Sequence, residues 1–370
     1  MLLNSTTTDQ PSSIAPAATV ASRRGQQQAS PMGDVIWHDA MQWPFEGAGW
    51  TDTARRYDRL PARAESLVDD AVWHLSRMSA GLCLRFTTDA TCIHTRYDLL
   101  FEELAMVHMP GTAHSGLDLY AEDGAGIDRW VGITRPTARH VEAPLAEGLA
   151  PGRRRYTLYL PLYNSPESLE IGVEAGATVE PLPKRQEKPI VVYGTSIMHG
   201  ASAARCGMAF PAQLGRRLGT PVINLGFAGN GRMHPEVVDL LAELDPSVFV
   251  IDCLPNMAAD LVAERTIPLV HRLRRGHADT PILLVEDRTY GNTRFFPEKA
   301  ERHRTSRAAL RAAWQELVLA GDEELHYLQG DDLLPADGEA TVDSSHPTDL
   351  GMVSYADAYE RALQPILRQY

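Results

Sequence analysis

Ser196 follows the apolar run Ile190-Val191-Val192-Tyr193 across the glycine-flanked turn Gly194-Thr195, and far downstream Asp343-Ser344-Ser345-His346 supplies a carboxylate and an imidazole within one turn of chain. A serine hydroxyl ionises far above neutral pH. It attacks a carbonyl only when an imidazole takes its proton and a carboxylate holds that imidazole in the right tautomer. Ser196, His346 and Asp343 fit those roles and imply a serine hydrolase. The tetrahedral intermediate of such a reaction also needs donors for its oxyanion, each worth roughly 3 kcal/mol. The backbone amides of Ser196 and Gly229 and the side-chain amide of Asn256 are the candidates.

These residues need a scaffold that brings them to one edge. Strand-like runs at Ile190 to Tyr193, Val222 to Leu225, Val248 to Asp252, Ile282 to Val285 and Leu325 to Leu328 alternate with helical patterns, such as Val237, Val238, Leu240, Leu241 and Leu244 on one face. Repeated β-α alternation with right-handed crossovers builds a parallel sheet covered on both sides, which binds ligands at the carboxyl ends of its strands. Ser196 lies just past the first run, Gly226 to Gly231 past the second, Asn256 past the third, and Asp343 and His346 past the fifth.

The N-terminal half has another texture. From Trp37 to about Glu180, short alternating segments such as Leu82-Cys83-Leu84-Arg85-Phe86, Thr91-Cys92-Ile93-His94-Thr95 and Tyr156-Thr157-Leu158-Tyr159-Leu160 are punctuated by Gly, Asp and Pro. Gly116-Leu117-Asp118-Leu119-Tyr120 and Trp130-Val131-Gly132-Ile133 read as two strands around a turn, and the whole reads as a β-sandwich. The polar, proline-bounded stretch Pro181 to Pro189 breaks both periodicities. The expected division is therefore a disordered extension over 1–33, a β-sandwich over 34–183 and an α/β catalytic domain over 184–370.

Composition sets the outer bounds. A chain of 370 residues with 44% hydrophobic content is long enough for two cores. Its formal charge of -13 describes a surface that repels phosphate backbones and anionic headgroups, so neither nucleic acid nor a membrane is an expected partner. No stretch approaches the roughly 18 apolar residues that cross a bilayer. The first thirty-odd residues, rich in Ser, Thr, Gln, Ala and Pro, carry no secretory pattern, which favours the cytoplasm, whereas work on a polysaccharide would favour export. Cys83, Cys92, Cys206 and Cys253 lack paired metal-ligand spacing. Cys83 and Cys92 can face each other across a hairpin as a disulfide or stay as two buried thiols, while Cys206 and Cys253 read as small core residues. No cofactor is implied, because the triad needs none and histidines such as His108 and His114 lack ligand company.

Each motif has a plainer reading. Gly-Thr-Ser after a strand is often an ordinary turn. Asp343 to Pro347 can be a helix start with Ser345 as N-cap and Pro347 at the first helical position. Asn224 to Gly231 can be a glycine-permitted turn, and Asn256 a loop amide satisfying backbone. Their joint occurrence on successive strand ends outweighs these readings.

The set resembles the SGNH hydrolase superfamily, also called GDSL esterases, over roughly Lys188 to Tyr370. Gly194-Thr195-Ser196-Ile197 matches the nucleophile block, Gly229 in Asn224-Leu225-Gly226-Phe227-Ala228-Gly229-Asn230 the oxyanion glycine, Asn256 in Asp252-Cys253-Leu254-Pro255-Asn256-Met257 the oxyanion asparagine, and Asp343 and His346 the final Asp-x-x-His. The departures are Thr195 for Asp, Ile197 for Leu, Leu254-Pro255 where Gly commonly stands two before Asn256, and Met257 for Asp; none removes a catalytic atom. The resemblance implies a flavodoxin-like three-layer domain with about five parallel strands behind a jelly-roll-like sandwich, as in some bacterial carbohydrate acetylesterases. The implied function is hydrolysis of short acyl esters, chiefly acetyl, on a carbohydrate or related hydroxylated substrate. A lipolytic or aryl esterase with the same triad, and a hydrolase fold reduced to carbohydrate binding, are the alternatives.

Substrate contacts are the finest level of this reading. Arg205, Arg288 and Tyr290 border the expected site and are candidates for holding a polar substrate. His199 reads as a surface or helix-start residue. Trp37, Trp43 and Trp50 fit sandwich packing better than a sugar-stacking rim.

Overall fold

The computed structural model describes residues 34–368; the N-terminal stretch expected to be disordered lies outside them. The first half runs β1 (Val35–Asp39), β2 (Phe45–Glu46), α1 (Asp70–Ser76), β3 (Cys83–Thr88), β4 (Ile93–Leu99), α2 (Gly111–His114), β5 (Asp118–Glu122), β6 (Asp128–Ile133), β7 (His140–Ala146), β8 (Arg154–Tyr159), β9 (Pro166–Glu174) and β10 (Val179–Pro181). Two antiparallel sheets result: β1-β9-β4-β7, and β10-β3-β8-β5-β6 with β2 added at β3. Alternation decides which side chains meet between them. Leu84, Phe86, Leu119, Tyr156 and Leu158 of one sheet share a buried cluster with Ile93, Tyr97, Leu169, Ile171 and Val173 of the other.

This arrangement decides between the two readings of Cys83 and Cys92 in favour of thiols. β3 and β4 belong to different sheets, so the turn between them joins the two layers, and Cys83 and Cys92 are both free. Trp43 packs in the sandwich core, Arg96 covers the ring of half-buried Trp37, and Trp50 donates to Glu243. β5 and β6 form the expected antiparallel pair.

The second half follows the expected alternation closely. Strands β11 (Ile190–Gly194), β12 (Val222–Gly226), β13 (Val248–Asp252), β14 (Ile282–Val285) and β15 (Leu325–Leu328) form one parallel sheet in the order β12-β11-β13-β14-β15. Every residue of β11, β13 and β14 is buried, as expected where helices cover both faces. The helices are α3 (Ser196–His199), α4 (Phe210–Leu218), α5 (Pro235–Leu241), α6 (Ala259–Arg274), α7 (Pro297–Leu319) and α8 (Asp349–Leu367). Chain order reverses beside β11, so its carboxyl end opens onto the crevice where such sheets bind ligands. Among the described residues no helix is long and apolar enough to cross a membrane.

The segment between β2 and β3 does not stay with the sandwich. Trp50, Leu60, Val72, Leu75 and Met78 belong to the same buried cluster as Val192, Leu225 and Leu244 of the α/β half. Arg59 is 1% exposed and donates to four backbone carbonyls, those of Met78 and Leu75 in its own segment and of Asn224 and Gly226 in β12. The seam is thus made by an arginine bonded to backbone oxygens, with the Phe227 ring 5.0 Å from its guanidinium carbon.

Candidate active site

Ser196 is the first residue of the one-turn helix α3, with the Thr195 hydroxyl accepting from the Ile197 amide at 3.4 Å. Two glycines let the chain close here. The missing side chain of Gly226 leaves room for the His199 amide, which an added Cβ would meet at 2.2 Å, and Gly229 takes a left-handed φ of +71°.

Ser196 Oγ lies 2.9 Å from His346 Nε2, and His346 Nδ1 lies 2.7 Å from Asp343 Oδ2. The other carboxylate oxygen of Asp343 accepts the Ser345 amide at 2.9 Å and the His346 amide at 2.7 Å. Ser344, between them, adopts a left-handed φ of +73°, which folds the segment back on the carboxylate. Partial burial raises the Asp343 pKa, but these amide and imidazole donors outweigh it and hold the group at about 2. The segment is not a helix start: α8 begins at Asp349, after Thr348.

The oxyanion candidates converge on the same edge. Asn256 ends a short 3-10 turn after β13, and its Oδ1 accepts the Gly231 amide at 3.2 Å. That bond fixes the amide plane and leaves Nδ2 as the side chain's donor end. Gly229 is exposed in the loop after β12.

The three substrate candidates lie in other company. Arg288 is 1% exposed, paired with Asp287, and donates through Nε and Nη2 to the Ser345 carbonyl at 3.1 and 2.9 Å. A guanidinium so enclosed anchors the Asp343–His346 loop, with its donors directed at protein groups. Burial works against ionising Asp287, yet Arg288, His303 and Arg302 hold it at about 2. Tyr290 is half-buried, covered by Arg288 at 4.7 Å and edge-on to His303 at 4.3 Å. Arg205 pairs with Asp118 at 3.0 Å and lies between the Tyr120 and Trp130 rings, each 5.3 Å away. It joins the loop after α3 to the sandwich. His199 is fully buried, its ring stacked on Tyr163 at 4.0 Å and Nε2 2.7 Å from the Leu162 carbonyl, so the surface reading is corrected.

Three residues have surroundings that the sequence reading did not anticipate. Asp118, fully buried, accepts from the Gly207 amide at 2.7 Å and Trp130 at 3.0 Å as well as from Arg205. A signal existed: in Leu117-Asp118-Leu119-Tyr120 the leucines face the sandwich core, so Asp118 and Tyr120 point to the opposite face. Arg59 is the second. His108 is the third, its ring centroid 5.3 Å from that of His346. Among the described residues no group of three or more His, Cys, Asp or Glu stands close enough to hold a metal ion.

Residues 187–364 match the model of the GDSL-like lipase/acylhydrolase family, and residues 35–179 match the N-terminus of SGNH-hydrolase-type esterases, named for a GxDLY motif that stands here as Gly116-Leu117-Asp118-Leu119-Tyr120. A protein from Bacteroides ovatus described as a GDSL-like lipase is 32% identical, with a TM-score of 0.86 over 90% of this chain and 98% of its own. A salicylyl-acyltransferase from a tetracycline biosynthetic pathway shares the fold at 18% identity and TM-score 0.69, over 90% and 97% of the two chains. A family two carbohydrate esterase from Cellvibrio japonicus shares it at 12% identity and TM-score 0.57, over 91% and 99%. A comparison with curated proteins gives no match. The chain therefore belongs to the GDSL-like lipase/acylhydrolase family, whose activity is hydrolysis of esters, with an SGNH-type N-terminal sandwich domain before the α/β domain.

Proposed function

We propose that Ser196, His346 and Asp343 form a catalytic triad that removes short acyl groups, chiefly acetyl, from a carbohydrate or related hydroxylated substrate. The observation that carries it is the unbroken line from Ser196 Oγ through His346 to Asp343, at 2.9 and 2.7 Å. Ser196 Oγ attacks the ester carbonyl as its proton passes to His346 Nε2. Negative charge on the carbonyl oxygen is met by the amides of Ser196 and Gly229 and by Asn256 Nδ2. The carbon–oxygen bond to the alcohol breaks, and His346 returns its proton to that oxygen. Water, deprotonated by His346, then attacks the acyl-serine, and the proton returns to Ser196 as the carboxylic acid leaves.

The carbohydrate component of this proposal draws on a fold relative that is named as a carbohydrate esterase. A second reading, an aryl or lipolytic esterase with the same triad, is favoured by Val107 and Val342, large apolar residues exposed next to His108 and Asp343. A 4-nitrophenyl ester series from acetyl to octanoyl, run on the parent and on Ser196→Ala, separates them. Acetyl preference lost in the variant supports the proposal, a profile rising beyond butyryl supports the second reading, and turnover that survives the substitution rejects both.

A further inference from the structure

We infer that the sandwich turn Met106–Met109 forms the wall of the leaving-group subsite, with His108 contacting the alcohol portion of the substrate; this rests on the esterase reading above. Met106 and Met109 exchange both backbone hydrogen bonds, at 3.0 and 3.1 Å, as an isolated antiparallel bridge. Only Val107 and His108 lie between them. Met109 is buried to 2% in the cluster of the parallel sheet, and Met106 packs against that cluster. The turn is therefore pinned to the α/β half while its tip projects: Val107 is fully exposed, and the His108 ring tilts 33° over His346.

Position relative to His346 assigns the subsite. In acylation His346 Nε2 passes its proton from Ser196 to the departing oxygen, so that oxygen must come within hydrogen-bond reach of the imidazole. The oxyanion donors Gly229 and Asn256 belong to other strand ends and mark the carbonyl side. A ring in contact with His346 consequently borders the alcohol, and the acyl chain lies elsewhere. Among the described residues the His108 nitrogens have no hydrogen-bond or ion-pair partner, so the turn offers a free polar group beside the apolar Val107. That combination suits a cyclic alcohol with an apolar face and a free hydroxyl or ether oxygen near the ester. The same wall would meet water or an alcohol acceptor in the second half-reaction.

The test holds the acyl group constant and varies the alcohol. Ethyl acetate, 4-nitrophenyl acetate and an acetylated monosaccharide are compared for the parent, His108→Ala, His108→Phe and Ser196→Ala. Loss of one substrate hydrogen bond predicts that kcat/KM on the acetylated sugar falls by about three- to tenfold relative to ethyl acetate in both His108 variants. His108→Phe keeps a ring against His346, so its loss on ethyl acetate is smaller than that of His108→Ala while its loss on the acetylated sugar is similar. The acetyl-to-butyryl ratio on 4-nitrophenyl esters stays at the parent value. An equal fall on every alcohol, an unchanged sugar-to-ethyl ratio or an altered acyl-length profile in folded variants overturns the inference and leaves the esterase reading standing. Absence of Ser196-dependent turnover on any ester removes that reading and this inference with it.

Discussion

Arg288 holds the carbonyl of Ser345, the residue directly before His346, through two donors while its charge is matched by Asp287. Two side chains at the end of β14 thus bear on where the imidazole of another loop stands. A surface loop carrying a catalytic group needs such an anchor, because misplacement by about 1 Å costs on the order of 100-fold in rate.

Arg288→Gln removes the charge and at least one of these bonds, leaving Asp287 with only Arg302 and His303 beside it. Breaking a buried ion pair costs about 3 kcal/mol or more, so urea unfolding shifts to lower midpoint. On 4-nitrophenyl acetate kcat falls on the order of 10- to 100-fold with KM little changed. A KM increase without loss of kcat would instead make Arg288 a substrate contact.

Asp343→Asn leaves the shape of the carboxylate but cannot accept at both ends. Asp343 receives the His346 ring proton on one oxygen and two backbone amides on the other. An amide nitrogen at either place meets a donor, and the imidazole loses the tautomer that leaves Nε2 basic. A drop of about 10⁴ in kcat with a folded protein is expected by stopped-flow and thermal unfolding.

Asn256→Ala removes the proposed side-chain oxyanion donor and the acceptor that the Gly231 amide uses. The expected loss is roughly 10²- to 10³-fold in kcat, with KM near the parent value. Asn256→Asp does not rescue it, since a carboxylate would face the oxyanion. Rescue by Asp would show that the residue only orders the Gly231 loop.

How far the sequence carries this far depends on the range of the interactions. The five parallel strands were legible because strands buried on both faces appear as continuous apolar runs, and the meeting of Ser196, Asp343 and His346 because each stands just past such a run. The buried partners of Arg288 and Arg205 were not legible, because an arginine near a strand end looks the same in sequence whether it faces a ligand or a buried Asp287 or Asp118. Arg59 gave no signal at all: its partners are backbone carbonyls, two of them far along the chain on β12. His108 was set aside as a candidate metal ligand lacking company, and its neighbour His346 is brought to it only by docking of the two halves.

Arg59→Met tests that docking. The substitution keeps an aliphatic side chain but takes the guanidinium donors from the carbonyls of Met78, Asn224 and Gly226, and from that of Leu75, which still accepts the Met78 amide. Buried unsatisfied acceptors cost about 1–3 kcal/mol each where water cannot enter, so the unfolding free energy falls by at least about 2 kcal/mol. Since β12 leads into the loop that carries Gly229, kcat also falls. Wild-type stability in the variant would mean that the seam is held by its apolar cluster alone.

Asp252 makes stability depend on pH from inside the sheet. It lies fully buried at the end of β13, opposite Gly194 in the register, with Tyr359 donating to Oδ2 at 2.6 Å. Desolvation, with Asp287 nearby, raises its pKa to about 7 against the opposing effects of Tyr359 and Arg288. A folded-state value above the unfolded one means that the native protein binds the extra proton. The associated stability is complete below about 4 and is lost as pH rises through about 7. Asp252→Asn retains an acceptor for Tyr359 and cannot ionise. Thermal unfolding at pH 5 and pH 8 should show the variant gaining on the parent at pH 8, while at pH 5, where the parent carboxyl is neutral, the difference is smaller. An equal offset at both pH values would show that Asp252 is ionised throughout, with Arg288 rather than desolvation deciding its state.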